Sequence, residues 1–264
     1  MRRETRPPRR REVPPWETLL AHAATLQLKV PGAILVGGTA AALHSRHRFS
    51  QYHDHVIENL GANYDKAIAG LESIVGWRTR RRIRGKMVLG EVENVAGGLR
   101  NQRRSAPLET VDITLSDGRK LRIPTVEEML RIKAFLSVQR NATRDYLDVA
   151  ALSHHLGLAR SAQALDRMSE LYAEFAGEGG DMLTTVVVTL ASPDPYDLTD
   201  VDLTEYKGII PPWNDWRAVE DQCRAVAASI LSPPAGSEPA SQERSSPSSS
   251  VPSAPPCGGT RGRK

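Results

Sequence analysis

The chain has 264 residues, a formal net charge of +4 and a calculated isoelectric point of 9.2. This length accommodates one large domain or two small ones with a substantial buried core. No apolar run approaches the roughly 20 residues of a membrane-spanning helix, and no apolar segment follows the basic start. We therefore expect a cytoplasmic protein without membrane partners, and two distant cysteines argue against a disulfide framework.

Both ends of the chain have a biased composition. Residues 1–15 are rich in arginine and proline, and residues 232–264 are rich in serine, proline and glycine. Neither segment has enough apolar side chains to form a core. We predict a disordered basic arm over residues 1–15 and a disordered tail over residues 232–264.

The next segments predict a helix, a strand and a glycine turn. Residues 16–28 place apolar side chains at helical spacing, and a Pro-Gly pair follows. Ile34 to Val36 then lead into Gly37 and Gly38 and an alanine-rich stretch, which predicts a buried strand, a tight turn and a short helix. Because glycine has no Cβ and helix N-termini attract anions, such a turn suits a phosphate group.

A second strand is predicted over residues 53–57, with Asp54 and Val56 on one face. Asp54 follows the glycine turn closely, where its carboxylate could hold a metal ion beside that phosphate. Four histidines near it are of a type that binds zinc: His44, His47, His53 and His55. No pair of them has a spacing that fixes ligand geometry, so hydrogen-bonding roles are the preferred interpretation.

A basic region follows a predicted helix over residues 63–75. Residues 77–84 alternate as in a strand, which gives one face made of Arg78, Arg80, Arg82 and Arg84. Residues 86–89 predict a further strand leading into glycines. Two interpretations of the basic face remain open: a floor for triphosphate or RNA, or an edge strand protected by its charge.

Thr110 to Leu115 and Lys120 to Ile123 predict a hairpin. Asp112 lies inside its first strand, where a lone carboxylate is costly unless it is paired or bound to metal. Thr125 and Glu128 then form a capping box that opens a helix.

That helix carries Lys133, and a second helix begins near Arg144. Arg144 and Asp148 are one turn apart and can pair, while Asp145 and Asp148 share a face. Ordinary surface ion pairing would explain these charges on their own.

Two of these segments together resemble the AbiEii/AbiGii-type nucleotidyltransferases, a branch of the DNA polymerase β-like superfamily. The first segment is Gly-Gly-Thr-Ala at 37–40, then His-Arg-x-Ser at 47–50, then Asp54. The second is Pro-Thr-x-Glu-Glu-x-Leu at 124–130, then Lys133, Arg140, Arg144-Asp145 and Asp148. The resemblance covers residues 30–157 and departs at Tyr52, which stands at the first carboxylate of the family's Asp-x-Asp pair.

The resemblance implies an α/β (α+β) fold. A polymerase β-like nucleotidyltransferase lobe with a mixed sheet would span residues 16–124, and a C-terminal helical lobe would span residues 125–231. The implied reaction moves a nucleoside monophosphate from an NTP to an RNA, such as the 3′ end of a tRNA, or to a protein hydroxyl. Membership also implies that the protein is the toxin of a type IV toxin–antitoxin or abortive infection system and that an antitoxin is its partner. RNA would contact the arginine clusters of residues 2–11, 78–86 and 100–104.

The resemblance assigns roles to individual residues as well. The implied catalytic residues are Asp54, Asp112, Lys133 and Asp148. The implied nucleotide-binding residues are Gly37, Gly38, Thr39, Lys133, Arg140 and Arg144. Mg²⁺ would be bound by Asp54 and Asp112, with Glu109 as the fallback for Asp112.

The remaining segments predict helices and one strand. Residues 161–176 predict a helix, and residues 182–190 are apolar and β-branched enough for a strand. Trp213 and Trp216 precede a helix that runs to about Leu231, and both tryptophans are interpreted as core anchors.

Two alternatives to the transferase remain. A pseudo-enzyme would keep the fold and bind nucleotide, RNA or a protein without catalysis, because Tyr52 removes one paired carboxylate. Whether Glu58 or Glu109 stands in for that carboxylate separates the two hypotheses. The other alternative is a metal-dependent hydrolase that uses the histidines.

Overall fold

A five-stranded sheet is built from the first half of the chain, and helices dominate the second half. This computed structural model describes residues 15–176 and 180–232. The predictions of a disordered arm and tail fall on residues 1–14 and 233–264, which lie outside the described residues.

The strands are β1 (Ile34–Val36), β2 (Tyr52–Ile57), β3 (Arg78–Ile83), β4 (Met87–Val92), β5 (Val95–Asn101), β6 (Thr110–Thr114) and β7 (Lys120–Pro124). The α-helices are α1 (Trp16–Lys29), α2 (Gly37–Ser45), α3 (Tyr64–Glu72), α4 (Val126–Arg140), α5 (Thr143–Leu156), α6 (Leu158–Leu165), α7 (Met168–Leu171), α8 (Met182–Ala191) and α9 (Trp216–Leu231). Within the two described ranges, no helix is long and apolar enough to cross a membrane.

The large sheet has the strand order β1-β2-β5-β4-β3. β2 and β5 run parallel, and the other neighbouring pairs run antiparallel. β6 and β7 form a separate antiparallel ribbon. The mixed sheet followed by helices confirms the predicted fold class.

β5 lies in the middle of the sheet, although no strand was expected at these residues. Gly97 and Gly98 lower its strand propensity, but packing requires both. A Cβ at Gly97 would lie 2.3 Å from the ring of His53, and a Cβ at Gly98 would lie 2.6 Å from a methyl group of Leu89. Close approach of neighbouring side chains, which local sequence does not reveal, therefore explains the glycines.

Two hydrophobic cores hold these elements together. The large core includes Leu35 of β1, Ala40 of α2, Leu130 of α4 and Leu147 of α5. The small core lies beneath the sheet on the α3 side. The large core contains side chains from both halves of the chain. It therefore packs α4 and α5 directly beside α2 and the glycine turn.

Residues 182–190 form a helix rather than the predicted strand. The Asp181 carboxylate caps α8 by accepting a hydrogen bond from the Thr184 N–H at 2.9 Å. Met182, Val186 and Leu190 are buried at helical spacing in the large core. The prediction was wrong because burial of this face outweighs the modest helix penalty of β-branched residues.

The capping box at α4 is half formed. Thr125 Oγ1 accepts a hydrogen bond from the Glu128 N–H at 3.2 Å, as predicted. The Glu128 side chain instead forms buried ion pairs with Arg104 at 2.9 Å and Arg131 at 2.8 Å. Glu128 therefore ties the segment after β5 to α4.

Candidate functional site

A cavity of about 560 Å³ lies between the large sheet and the helices α4 and α5. Its sheet side includes Tyr52, Asp54 and Arg100, and its helix side includes Lys133 and Arg144. The two sequence segments that carry the family resemblance therefore face one common space.

Gly37 and Gly38 begin α2 and line the cavity. Gly37 has a φ of +75°, a conformation that favours glycine. A Cβ at Gly38 would lie 2.6 Å from a terminal nitrogen of Arg48. No described side chain caps this helix N-terminus, and the first N–H groups of a helix lack intrahelical partners. This end of α2 therefore suits an anion.

Thr39 has a structural contact instead of a place on the cavity wall. Its side chain is buried, and Oγ1 donates a hydrogen bond to the Tyr52 carbonyl at 2.7 Å. This bond holds α2 against β2 and thus sets the position of the glycine turn relative to Asp54.

Tyr52 and Asp54 project from the same face of β2, because side chains alternate along a strand. Asp54 is 26% exposed, and Arg100 of β5 places its Nε 3.8 Å from Asp54 Oδ1. Gly98 lies beside Asp54 in the parallel register and has no side chain to fill the space. One carboxylate, one phenol and one guanidinium thus share this part of the wall.

A buried group of charges, the Asp148 cluster, fixes α5 to α4 and to the segment before β2. It consists of Asp148, His47, Arg48, Lys133 and Asp145. His47 Nε2 and Arg48 Nε donate to Asp148 Oδ1 at 2.8 and 3.0 Å. Lys133 Nζ lies 2.6 Å from Asp148 Oδ2 and 3.0 Å from Asp145 Oδ1. The sequence suggested pairing of Asp148 with Arg144, but Arg48 takes that position.

Asp148 and Lys133 stay charged although both are buried. Burial alone would raise the pKa of Asp148, but Arg48 and Lys133 outweigh it and hold that pKa far below its usual value. Burial alone would lower the pKa of Lys133, but Asp148 and Asp145 raise it. Lys133 therefore contributes a fixed positive charge to the cavity wall.

Besides Arg48, six arginines line the cavity, and two of them, Arg80 and Arg104, pair with Glu91 and Glu128. We call the other four the cavity arginines: Arg100, Arg103, Arg140 and Arg144. Within the described ranges, the last three form no ion pair. Burial lowers the pKa of Arg140, and Arg144, Arg103 and Arg100 add to this, while Asp145 opposes it. Burial alone would lower the pKa of Arg144, but Tyr52 and Asp145 raise it overall. The cavity therefore carries an excess of positive charge.

Asp112 and Glu109 lie away from this cavity. Asp112 is on the β6–β7 ribbon and pairs with Arg122 at 2.9 Å, with 39% of its side chain exposed. Glu109 pairs with Arg131 and Arg167. Because the ribbon is exposed to solvent, the Asp112 carboxylate needs no metal ion to stabilise its charge. Arg122 on the neighbouring strand pairs with it. Glu58, the other suggested substitute, lines a separate cavity of about 380 Å³.

The structure thus brings most of the predicted site together. Gly37, Gly38, Asp54, Lys133, Arg140 and Arg144 line the cavity, while Asp148 lies behind its wall. Sequence analysis considered His47 only as a possible zinc ligand and Arg100 and Arg103 only as part of an arginine cluster, and it gave Arg48 no role. The His-Arg-x-Ser string marked His47 and Arg48, whereas only their inclusion in a basic cluster marked Arg100 and Arg103.

The donor set does not fit the Mg²⁺ pair that the resemblance implies. In nucleotide-binding sites Mg²⁺ takes octahedral oxygen geometry, with one or two protein carboxylates beside the substrate phosphates and waters. Here Asp54 has Tyr52 and Arg100 beside it, and Asp145 and Asp148 already hold Lys133. Across residues 15–176 and 180–232, no three His, Cys, Asp or Glu side chains are grouped to hold a metal ion.

The architecture is a nucleotidyltransferase fold. It superimposes on the nucleotidyltransferase toxin MenT4 from Mycobacterium tuberculosis H37Rv with a TM-score of 0.54, covering 82% of this chain and 83% of that one. The sequence identity is 14%, so the similarity establishes the fold alone.

Sequence comparison gives a different set of relatives. The chain is 35% identical over 133 residues to the heme uptake protein MmpL11 of M. tuberculosis H37Rv, which covers 49% of this chain. It is 29% identical over 162 residues to the mycolic acid-containing lipids exporter MmpL11 of Mycolicibacterium smegmatis, covering 61% of this chain. The chain spans only 13% and 16% of the lengths of these relatives. No family model matches the chain.

Proposed function

We propose that the protein binds a nucleoside triphosphate in the cavity and transfers a nucleoside monophosphate to an acceptor hydroxyl. The observation that carries this proposal is the convergence of the α2 N-terminus, Asp54, Lys133 and Arg144 on one space. Gly37 and Gly38 allow phosphates to approach the backbone of α2 closely. Lys133 and Arg144 neutralise charge on the departing pyrophosphate, which is the main requirement of phosphoryl-type transfer.

In this reaction the acceptor oxygen attacks the α-phosphorus, and the bond between that phosphorus and the oxygen bridging to the β-phosphate breaks. Pyrophosphate leaves, and the acceptor proton moves to Asp54, the partly exposed carboxylate on the cavity wall. No step passes through Mg²⁺, because the donor set beside Asp54 does not suit it.

The acceptor class rests on the family resemblance and on the charge of the protein. An RNA, such as the 3′ end of a tRNA, suits the basic surface of β3, where Arg78 and Arg80 are well exposed. A protein hydroxyl is the alternative acceptor. A toxin role with an antitoxin partner is part of the same proposal, supported by the resemblance and by a fold shared with a toxin.

A binding module without catalysis is the second candidate. Tyr52 favours it, since a neutral phenol replaces a carboxylate and leaves Asp54 alone on this part of β2. Such a module would hold a nucleotide in the same cavity without turnover.

Replacement of Asp54 by asparagine is expected to lower nucleotide transfer by about a hundredfold or more, because the acceptor loses its proton-accepting group. The measurement is incorporation of labelled NTPs into total RNA and total protein by the full chain. Asp200→Asn, an exposed change of equal charge, serves as the control. Binding without any transfer by the wild type would favour the module, and equal transfer by Asp54→Asn would remove Asp54 from the reaction.

A further inference from the structure

We propose that the cavity binds its nucleoside triphosphate without a divalent cation, with the cavity arginines taking the place that a metal ion would have. This inference rests on the proposed nucleotide site and specifies how that site neutralises phosphate. It departs from the Mg²⁺ requirement that the sequence resemblance implies.

The carboxylate side of the cavity carries the first step. Asp54 Oδ1 lies 3.8 Å from Arg100 Nε, so this carboxylate already faces a positive charge. A dication bound to Asp54 would stand close to that guanidinium, and like charges repel more strongly at a partly buried position than in bulk water. Tyr52 offers a neutral oxygen where the pair would need a second anion, and hard cations bind such oxygens weakly.

The second step concerns the carboxylates of α5. Asp148 accepts from His47 and Arg48 and lies 2.6 Å from Lys133 Nζ, and Asp145 lies 3.0 Å from the same ammonium group. Recruiting either carboxylate to a metal ion would leave a buried cation unpaired. Breaking a buried ion pair in this way is strongly destabilising, so this cluster does not supply ligands.

The third step concerns the cavity arginines themselves. Arg103, Arg140 and Arg144 form no ion pair within the described ranges, and their exposed side chains line one common cavity. The positive charges of these arginines repel one another in the free protein, and this repulsion is relieved when all of them bind one anion. Guanidinium groups bind phosphate oxygens in pairs and stay charged at all relevant pH values. A triphosphate supplies the several negative charges that this group requires.

The experiment compares nucleotide affinity with and without metal. Each of the four common NTPs is titrated into the full wild-type chain by calorimetry, once in EDTA and once with excess MgCl₂. Affinity in EDTA is expected to equal or exceed affinity in Mg²⁺, because a magnesium ion would remove charge that the arginines bind.

Loss of one guanidinium provides a second measurement. Arg100→Gln is expected to weaken binding in EDTA by about tenfold or more, since the phosphate loses a charge-assisted hydrogen bond. Arg217→Gln makes the same charge change at an exposed position of α9 and is the matched control. This variant should bind NTP as the wild type does.

A variant that should gain Mg²⁺ dependence tests whether Tyr52 and Arg100 are the reason why no metal ion is needed. Tyr52→Asp combined with Arg100→Gln restores two carboxylates and removes the competing cation. Mg²⁺ should then strengthen binding by about tenfold. A melting curve confirms that the variant is folded, and if it does not fold, the wild-type and Arg100→Gln titrations decide alone.

The outcomes separate this inference from the proposed function. Binding of NTP by the wild type only when Mg²⁺ is present overturns the inference and leaves the nucleotide site intact. Absence of binding in both conditions overturns both. Wild-type binding in EDTA together with a folded double variant that gains no Mg²⁺ dependence shows that Tyr52 and Arg100 are not what replaces the metal, and overturns the inference as stated.

Discussion

Substituting Asp148 with alanine is expected to lower the free energy of unfolding by about 3–5 kcal/mol, the range found when one partner of a buried ion pair is removed. Asp148 is fully buried, and it is the carboxylate shared by His47, Arg48 and Lys133. Without it, Arg48 loses its ion pair and Lys133 retains only Asp145. Denaturant titration followed by circular dichroism measures the change.

Asp112→Ala is the matched control for this experiment. It removes the same side chain from an ion pair whose partners are 39% and 50% exposed. Exposed pairs typically contribute about 0–1 kcal/mol, so little change is expected. Equal losses for the two variants would contradict the dominant role of the Asp148 cluster.

Acidification below pH 6.5 is expected to destabilise the protein through His53 and His55. Both rings are buried between the large sheet and α1, with centroids 5.3 Å apart. Burial, assisted by His22, lowers the pKa of His53 from 6.5 to about 3. Burial, assisted by His53, lowers the pKa of His55 well below 6.5, while backbone groups of Gly98 and Ala23 oppose the shift.

The direction of the effect follows from proton uptake. Between pH 6.5 and about 3 the unfolded chain binds protons at these histidines and the folded chain does not. The free energy of unfolding therefore has its full value above pH 6.5. It falls as the pH drops, by about 1.4 kcal/mol per pH unit for each histidine. Asp148 does not interfere, because its lowered pKa affects stability only below its unfolded value of 3.8.

Unfolding free energies measured from pH 7 to pH 4.5 test this expectation. His53→Gln should reduce the slope by about 1.4 kcal/mol per pH unit, since an amide does not titrate. His155→Gln, which changes an exposed histidine on α5, should leave the slope unchanged. If the unfolding free energy of the wild type does not change between pH 7 and pH 4.5, His53 and His55 accept protons in the folded protein, and the expectation is wrong.

Packing decided the local structures that the sequence misassigned. The glycines of β5 have low strand propensity, but Gly97 accommodates His53 and Gly98 accommodates Leu89. Residues 182–190 have high strand propensity, but their buried face lies at helical spacing against the large core. In both segments tertiary contacts outweigh a local preference that amounts to about 1 kcal/mol or less per residue.

By itself, the sequence determined the elements that depend on local chemistry. The strand, glycine turn and helix around Gly37 follow from apolar β-formers, backbone freedom and an alanine-rich run. The cap at Thr125 and the periodicity of α4 and α5 are equally local. These patterns were sufficient to place the glycine turn and the helices α4 and α5, because each depends on neighbours within one or two turns of the chain, whereas the fold class came from the family resemblance.

Only the tertiary structure decided which charges meet. Asp148 pairs with Arg48, which is a hundred residues earlier in the chain, instead of with Arg144 one turn away. Asp112 faces Arg122 on an exposed ribbon, and Arg100 instead of a second carboxylate stands beside Asp54. A charge has no local periodicity that reveals its partner, because its energy depends on burial and on distance in space. The balance of charges in the cavity, and with it the proposed binding of a nucleotide without metal, is therefore a property of the fold.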